Sequence, residues 1–336
     1  MSHTLIIQTL ALLAVGGLLQ QTAHASAGSG DACAPDLDLD GVVDGADLAM
    51  LLSYWGPCEG CEADIDANGV IDGQDLSIVL GSWGTVPDDC LPGPSSERHT
   101  KWPVGTKYPA QGFWEYLPHR YEARDDWPLI VFLHGVGSNG DGSSNELERL
   151  LGNGPPRLVT EDRWPVEGSS AGDRFIVLSP QNPVPGECHQ PANIDAFLRW
   201  AIDTYKVDRT RVYLTGLSCG AIGTWNYLEA HLQDDLLAAT VPICGSGIKA
   251  WNTHGCELGA LPIWGFHGDA DDVVNVIGTY FPLASLQLCT DPEPIDARMT
   301  IYEGVGHDSW TRTYDLEAGH DIYGWLLEHI NEDAAP

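Results

Sequence analysis

The first 97 residues contain no lysine and no arginine. They carry fifteen of the 48 acids, and the sixteen bases begin only at Arg98, which leaves a formal net charge of −32. A field of that sign repels phosphate backbones and anionic lipid headgroups, so nucleic-acid and membrane-surface binding are excluded. Long apolar runs are equally scarce. The only substantial one, Leu5 to Leu19, is too short to span a bilayer comfortably, and no later segment is longer. It is followed by Ala23-His24-Ala25, a small-x-small cleavage site, so residues 1–25 are expected to be a secretory signal peptide. The n-region is atypical in offering only the amino terminus and His3 as positive groups. A secreted, extracellular protein is expected. With 43% hydrophobic residues and twelve tryptophans, most of the chain is expected to be folded.

What the chain does have includes nine cysteines, an odd number in a protein that meets an oxidising compartment. Cys219 and Cys244 fall in core turns and are expected to be free and buried. Cys256 and Cys289, both in loops, are the expected disulfide. Cys33, Cys58, Cys61, Cys90 and Cys188 cannot be paired from sequence.

Near the amino terminus the chain repeats itself. "DLDLDGVVDGADLAMLLSYWG" from Asp36 recurs as "DIDANGVIDGQDLSIVLGSWG" from Asp64. Oxygen side chains fall at loop positions 1, 3, 5, 9 and 12: Asp36, Asp38, Asp40, Asp44 and Asp47, then Asp64, Asp66, Asn68, Asp72 and Asp75. Gly41 and Gly69 sit at position 6, where such a loop turns sharply, and Val42 and Val70 at position 7 offer backbone carbonyls. Hard oxygens at that spacing suit a hard cation, and two calcium ions are expected. Each loop runs into one amphipathic helix. These paired loop-helix units, with Asp in place of Glu at position 12, resemble the type I dockerin domain. The resemblance implies calcium binding and docking to a cohesin-like partner. Loop positions 10 and 11, where the family often carries Ser-Thr, hold Gly45-Ala46 and Gly73-Gln74 here. The module is expected over 33–84, with a Pro-, Gly- and Ser-rich linker over 85–103.

Over 104–333 short β-rich runs alternate with helical stretches. The runs "GFWEYLP", "PLIVFLHG", "RFIVLSPQ", "RVYLTG", "AATVPICG", "PIWGFHG" and "RMTIYEG" predict strands, and 190–205, 219–231 and 320–331 predict helices. That alternation predicts an α/β domain whose mostly parallel sheet is covered by helices, with function at the carboxyl ends of the strands.

Two Gly-x-Ser-x-Gly motifs occur. The one around Ser170 precedes a strand and reads as a loop. The one around Ser218 lies between a strand and a helix, as a nucleophile elbow must. The expected order is then Ser, acid, His. Asp271 follows one strand and His307 another, so both can stand at the edge that carries Ser218. Asp269 and Asp272 are rivals to Asp271, and His320 and His329, in a helical stretch, are rivals to His307. An oxyanion hole needs two backbone N–H groups; the Cys219 and Val136 amides are the candidates, with the Cys219 thiol packed into the core. Trp310, three residues past His307, is a candidate wall of the acyl pocket, or a packing residue. No gap is long enough for a large lid, so an open cleft is expected.

Together "WPLIVFLHGVGSNG", "GPPRLV", "RFIVLSPQ", "VYLTGLSCGAIGTW", "FHGDADDVV" and "GVGHDSW" resemble the α/β-hydrolase esterases related to polyhydroxybutyrate depolymerases, feruloyl esterases and phospholipase/carboxylesterase-type enzymes. The resemblance implies a Ser218, Asp271, His307 triad with no cofactor for catalysis. It implies ester groups of plant polysaccharide (feruloyl or acetyl), a polyester, or a small ester as substrate. Relatives commonly carry Met where this chain has Cys219. The reading from another class is a calcium-dependent extracellular scaffold or adhesion protein with an inactive hydrolase fold, and a third is a peptidase of that fold.

Overall fold

The computed structural model describes residues 33–334, apart from 39, 40, 59, 60, 62, 88, 89 and 92. The expected signal peptide and Asp40 lie outside the described residues.

The amino-terminal module has internal two-fold symmetry. β1 (Val42–Val43), α1 (Gly45–Ser53) and β2 (Gly56–Pro57) are repeated as β3 (Val70–Ile71), α2 (Gly73–Gly81) and β4 (Gly84–Thr85). β1 pairs antiparallel with β4, and β2 with β3, so each half completes the other's ladder. Besides the two expected helices, the module thus carries two short ladders. Gly41 and Gly69 turn each loop at φ of 90° and 85°, a conformation that strains any residue with a Cβ. A small core of Leu37, Val43, Leu51, Ile71, Val79 and Val86 closes the module, and the Cys33–Cys90 disulfide ties its ends.

The larger domain is built on an eight-stranded sheet in the order β12-β11-β10-β9-β7-β8-β6-β5. Its strands are β5 (His99–Trp102), β6 (Phe113–Tyr116), β7 (Trp127–Leu133), β8 (Ile176–Pro180), β9 (Val207–Leu217), β10 (Ala239–Ile243), β11 (Ile263–Gly268) and β12 (Ala297–Tyr302). The six strands from β12 to β8 run parallel, while β6 and β5 add antiparallel at one edge. The helices are α3 (Gly154–Thr160), α4 (Pro191–Thr204), α5 (Cys219–His231), α6 (Ile248–His254), α7 (Ile277–Leu286), α8 (Trp310–Tyr314) and α9 (Ile322–Leu327). β7 reads as an unbroken apolar run because both its faces are covered. Leu129, Val131 and Leu133 point into the core under α4, α5, α6 and α7, while Ile130 and Phe132 point into the core under α3, α8 and α9. α4 buries Ile194, Phe197, Leu198, Ala201 and Ile202, the one-sided spacing of a helix lying on a sheet. This is the α/β-hydrolase arrangement.

The linker expectation over 85–103 needs correction. Val86 and Cys90 are buried in the module, while Ser95–Arg98 forms a 3-10 turn and His99–Trp102 is the edge strand of the sheet. Arg98 pairs at 2.8 Å with Asp173, whose side chain is fully buried, which ties this segment to the larger domain. The module is also seated against that domain. Gly172 faces the Asp38 carbonyl so closely that a Cβ there would lie 2.1 Å from it.

The cysteines require a second correction. Cys256–Cys289 is bonded as expected, but Cys219 is not a free thiol: it is bonded to Cys188. Cys58 pairs with Cys61, and Cys244 alone is free, and buried. No helix among the described residues is long and apolar enough to cross a membrane.

Candidate active site and calcium loops

Three loops at the carboxyl edge of the sheet bring Ser218, Asp271 and His307 together. Ser218 stands between β9 and α5 at φ 52°, ψ −117°, a strained conformation for a residue with a Cβ. The turn closes only because Gly220 has no side chain; a Cβ there would lie 1.9 Å from the Leu133 carbonyl oxygen. The Ser218 hydroxyl donates to His307 Nε2 over 2.8 Å. His307 Nδ1–H donates to Asp271 Oδ2 over 2.7 Å. The other carboxylate oxygen, Oδ1, accepts the Val273 and Val274 amides, each at 2.9 Å. Burial pushes the Asp271 carboxyl up, but hydrogen bonds from His307 and these amides outweigh it and hold it below the usual carboxylate range.

The rivals have other partners. Asp269 accepts the Gly304 amide at 2.7 Å and so braces the loop that leads to His307. Asp272 is exposed. His320 packs its ring against Trp264, and His329 lies 3.4 Å from Asp296. Ser170 bonds Asp321 through both its amide and its hydroxyl, in a loop remote from Ser218.

Two neighbours of this cluster escape sequence reading. His267, fully buried at the end of β11, donates from Nε2 to Asp271 Oδ2 at 3.1 Å and to the Val274 carbonyl at 2.9 Å. Its Nδ1 accepts the Thr279 hydroxyl, so a neutral ring is fixed in one orientation; burial lowers its pKa. Its only sequence signal was its place four residues before Asp271. Cys244 reaches within 4.8 Å of the Asp271 and His307 ligand atoms. Burial pushes its thiol up to about 12, so it stays protonated, and those two partners are already bonded to each other.

Ser218 opens into a cavity of about 300 Å³ lined by Gly135, Val136, Leu150, Asn153, Leu217, Val273, His307 and Trp310. Trp310 sets its edge against the His307 ring at 5.2 Å, and its indole N–H donates to Asn153 Oδ1 at 2.9 Å. Val136 begins a 3-10 turn on one side of Ser218, and Cys219 begins α5 on the other. As a first helical residue, Cys219 has an N–H with no acceptor inside its helix. A larger cavity of about 440 Å³, near Leu228, Leu237 and Leu261, lies at the amino ends of β10 and β11 and is lined by His329 but by no residue of the Ser218, Asp271, His307 cluster.

In the module the two loops are wired alike. Asp47 Oδ1 accepts the Leu37 and Asp38 amides, and Asp75 Oδ1 accepts those of Ile65 and Asp66. Carboxylate oxygens of Asp36, Asp38 and Asp47 all lie within 4.8 Å of one another, as do those of Asp64, Asp66 and Asp75. Asp36, Asp38 and Asp47 are buried, and like charges so placed fit a divalent cation. Asp44 and Asp72 cap α1 and α2 in reciprocal capping boxes with Asp47 and Asp75, and Asn68 Oδ1 accepts the Val70 amide.

The family profile of the dockerin type I domain matches residues 34–80. The module is therefore a type I dockerin domain, a calcium-binding kind. Among solved structures, the chain is similar to a thermostable esterase at 25% identity and a TM-score of 0.51, over 70% of this chain and 64% of that one. The chain thus spans about two thirds of that esterase. It is similar to a protein designated FAE at 16% identity and a TM-score of 0.50, over 73% and 94% of the two chains. It is also similar to an acetyl xylan esterase from Aspergillus awamori at 16% identity and a TM-score of 0.46, over 68% and 99%. No curated sequence matches the chain.

Proposed function

We propose that the larger domain is a secreted serine carboxylic-ester hydrolase, and that the dockerin module tethers it to a cohesin-like partner. The observation that carries the reading is the hydrogen-bonded series from Ser218 Oγ through His307 to Asp271, with Ser218 held at a positive φ.

In this reading His307 Nε2 takes the hydroxyl proton as Ser218 Oγ attacks the ester carbonyl. The Cys219 and Val136 amides stabilise the oxyanion. The tetrahedral intermediate collapses, His307 returns the proton to the departing alkoxide, and an acyl-Ser218 remains. Water, deprotonated by the same imidazole, then releases the acid and restores Ser218. Asp271, kept ionised by its amide donors, holds His307 in the tautomer that accepts at Nε2 and stabilises the imidazolium. His267 fixes the Asp271 carboxylate. Trp310 forms a wall of the acyl pocket. No step calls for a cofactor.

The walls of the cleft support a substrate class. They carry no Lys or Arg, so nothing there selects an anionic acyl group. Val273, on the cleft rim, is 67% exposed, and the charge-free helix α7 beyond it exposes Ile277, Tyr280 and Phe281. Exposed apolar side chains beside a cleft suit an extended neutral substrate. That supports esters on plant polysaccharide (feruloyl or acetyl) or a polyester, such as a polyhydroxyalkanoate or an aromatic polyester, over a small ester. Two calcium ions are proposed for the module. The first is held by Asp36, Asp38, Asp40, Asp44, Asp47 and the Val42 carbonyl, and the second by Asp64, Asp66, Asn68, Asp72, Asp75 and the Val70 carbonyl.

Hydrolysis of p-nitrophenyl acetate, methyl ferulate, acetyl-xylan and polyester films tests the reading. Turnover of at least one, abolished by a serine-directed phosphonate, is expected. No turnover of any, with intact calcium-dependent partner binding, would favour a scaffold role instead.

A further inference from the structure

The bond between Cys188 and Cys219 joins the residue after the nucleophile to the loop between β8 and α4. That loop, residues 181–190, is also fastened to the opposite side of the cleft. The Asn182 amide donates to His134 Nε2 at 2.9 Å. The Asn139 side-chain amide donates to the Val184 carbonyl at 2.6 Å and to the Glu187 carbonyl at 2.9 Å. The Gly140 amide donates to the Asn182 carbonyl at 3.1 Å. Residues 134 and 139–140 bracket Val136. His189, beside the disulfide and buried, sets its ring edge-to-face on His134 at 4.6 Å, and Gly223 of α5 packs so close that a Cβ there would lie 2.9 Å from the His189 Cβ.

One loop is therefore anchored covalently to the Cys219 side of the cleft and by hydrogen bonds to the Val136 side. We propose that the Cys188–Cys219 disulfide is a positioning element of the oxyanion hole, fixing the separation of the Cys219 and Val136 amides. It touches no substrate and takes no proton. The proposal rests on the esterase reading, because only an acyl-transfer reaction needs that separation held. An oxyanion hole set by two independent loops loses much of its value when they drift, since its donors act only at fixed geometry.

The test compares the intact protein with Cys188→Ala/Cys219→Ala, using p-nitrophenyl acetate and an aryl phosphonate that labels the nucleophilic serine. The expected result is a kcat lowered about tenfold with KM within about twofold, phosphonylation slowed in parallel, and an unchanged acid limb of the pH profile. The acid limb stays because Ser218, His307 and Asp271 keep their bonds. Cys256→Ala/Cys289→Ala is the control, expected to lower Tm while leaving kcat in place. Asn139→Ala removes two of the four hydrogen bonds of the other anchor without touching sulfur and is expected to lower kcat in the same direction, which keeps the test open if the cysteine variant does not fold. Wild-type kcat in the folded cysteine variant or in Asn139→Ala, or an equal kcat loss in the control pair, would overturn the proposal. Failure of the phosphonate to label Ser218 in the unaltered protein would instead sink the esterase reading beneath it.

Discussion

Asp271 shares one carboxylate oxygen between two imidazoles: Oδ2 accepts from His307 at 2.7 Å and from His267 at 3.1 Å. One ring faces the cleft, and the other is sealed in the core. Asp271→Asn removes the charge and offers an N–H where two N–H groups already point. kcat is expected to fall about 10³- to 10⁴-fold with the fold retained. Asp272→Asn should be nearly silent, and Asp269→Asn mild, because Asp269 only braces Gly304. A larger loss at Asp269 than at Asp271, measured as kcat/KM on one ester, would move the acid.

Trp310 lines the cleft and is held by Asn153. Trp310→Ala should raise KM for an aromatic ester about tenfold and for an acetyl ester much less, in line with about 1–3 kcal/mol for an apolar pocket contact. An equal change for both esters would make it a packing residue.

The strands were legible because a parallel sheet covered on both faces demands apolar runs, and all six parallel strands are visible, with the antiparallel β6 as a seventh. The eighth, "HTKW" in β5, was not. It is an antiparallel edge strand with Lys101 and Thr100 in it, and it sits behind Pro94 and two serines that read as linker. Helix α7 was missed for a related reason, since its solvent face is as apolar as its core face and shows no period. The triad candidates could be ordered along the chain because each follows a strand. His267 could not be singled out, since the Ser-acid-His order has room for one histidine and gives no sign of a second bonded to the same acid. The Cys188–Cys219 bond depends on α4 and β9 folding back over 31 residues. In sequence Cys219 looked like a small core residue.

Stability should depend on pH through buried imidazoles. Burial lowers the His134 pKa to about 4 and that of the half-buried His99 to about 3, and it holds that of His189 well below the usual imidazole value. Their folded pKa values lie below the unfolded value of about 6.5, so the unfolded chain binds protons first as pH falls. The stability held by the neutral rings is complete above about pH 6.5 and is lost progressively toward about pH 4. Thermal melts across that window should show Tm falling with pH, with part of the slope removed in His134→Gln. A flat Tm between pH 6.5 and 4 would mean that these rings are hydrated.

Calcium should govern the module and spare the chemistry. Clustered carboxylates repel without a cation, and the module core is small and separate from the two cores of the larger domain. Chelation is expected to abolish the cooperative unfolding transition of the module while ester hydrolysis stays within about twofold. Loss of hydrolysis on chelation would show that the Asp38–Gly172 contact transmits more than adhesion.

Replacing Ser218 by alanine tests the central claim most directly. The variant removes one oxygen from a buried turn whose backbone is held by the Ser218 amide bond to Ile243 and by Gly220, so it should fold. Initial rates on p-nitrophenyl acetate, with Ser170→Ala as the matched control, are expected to fall at least about 10³-fold for Ser218→Ala and to stay near wild type for the control. A folded Ser218→Ala protein that hydrolyses the ester at the wild-type rate would contradict the account.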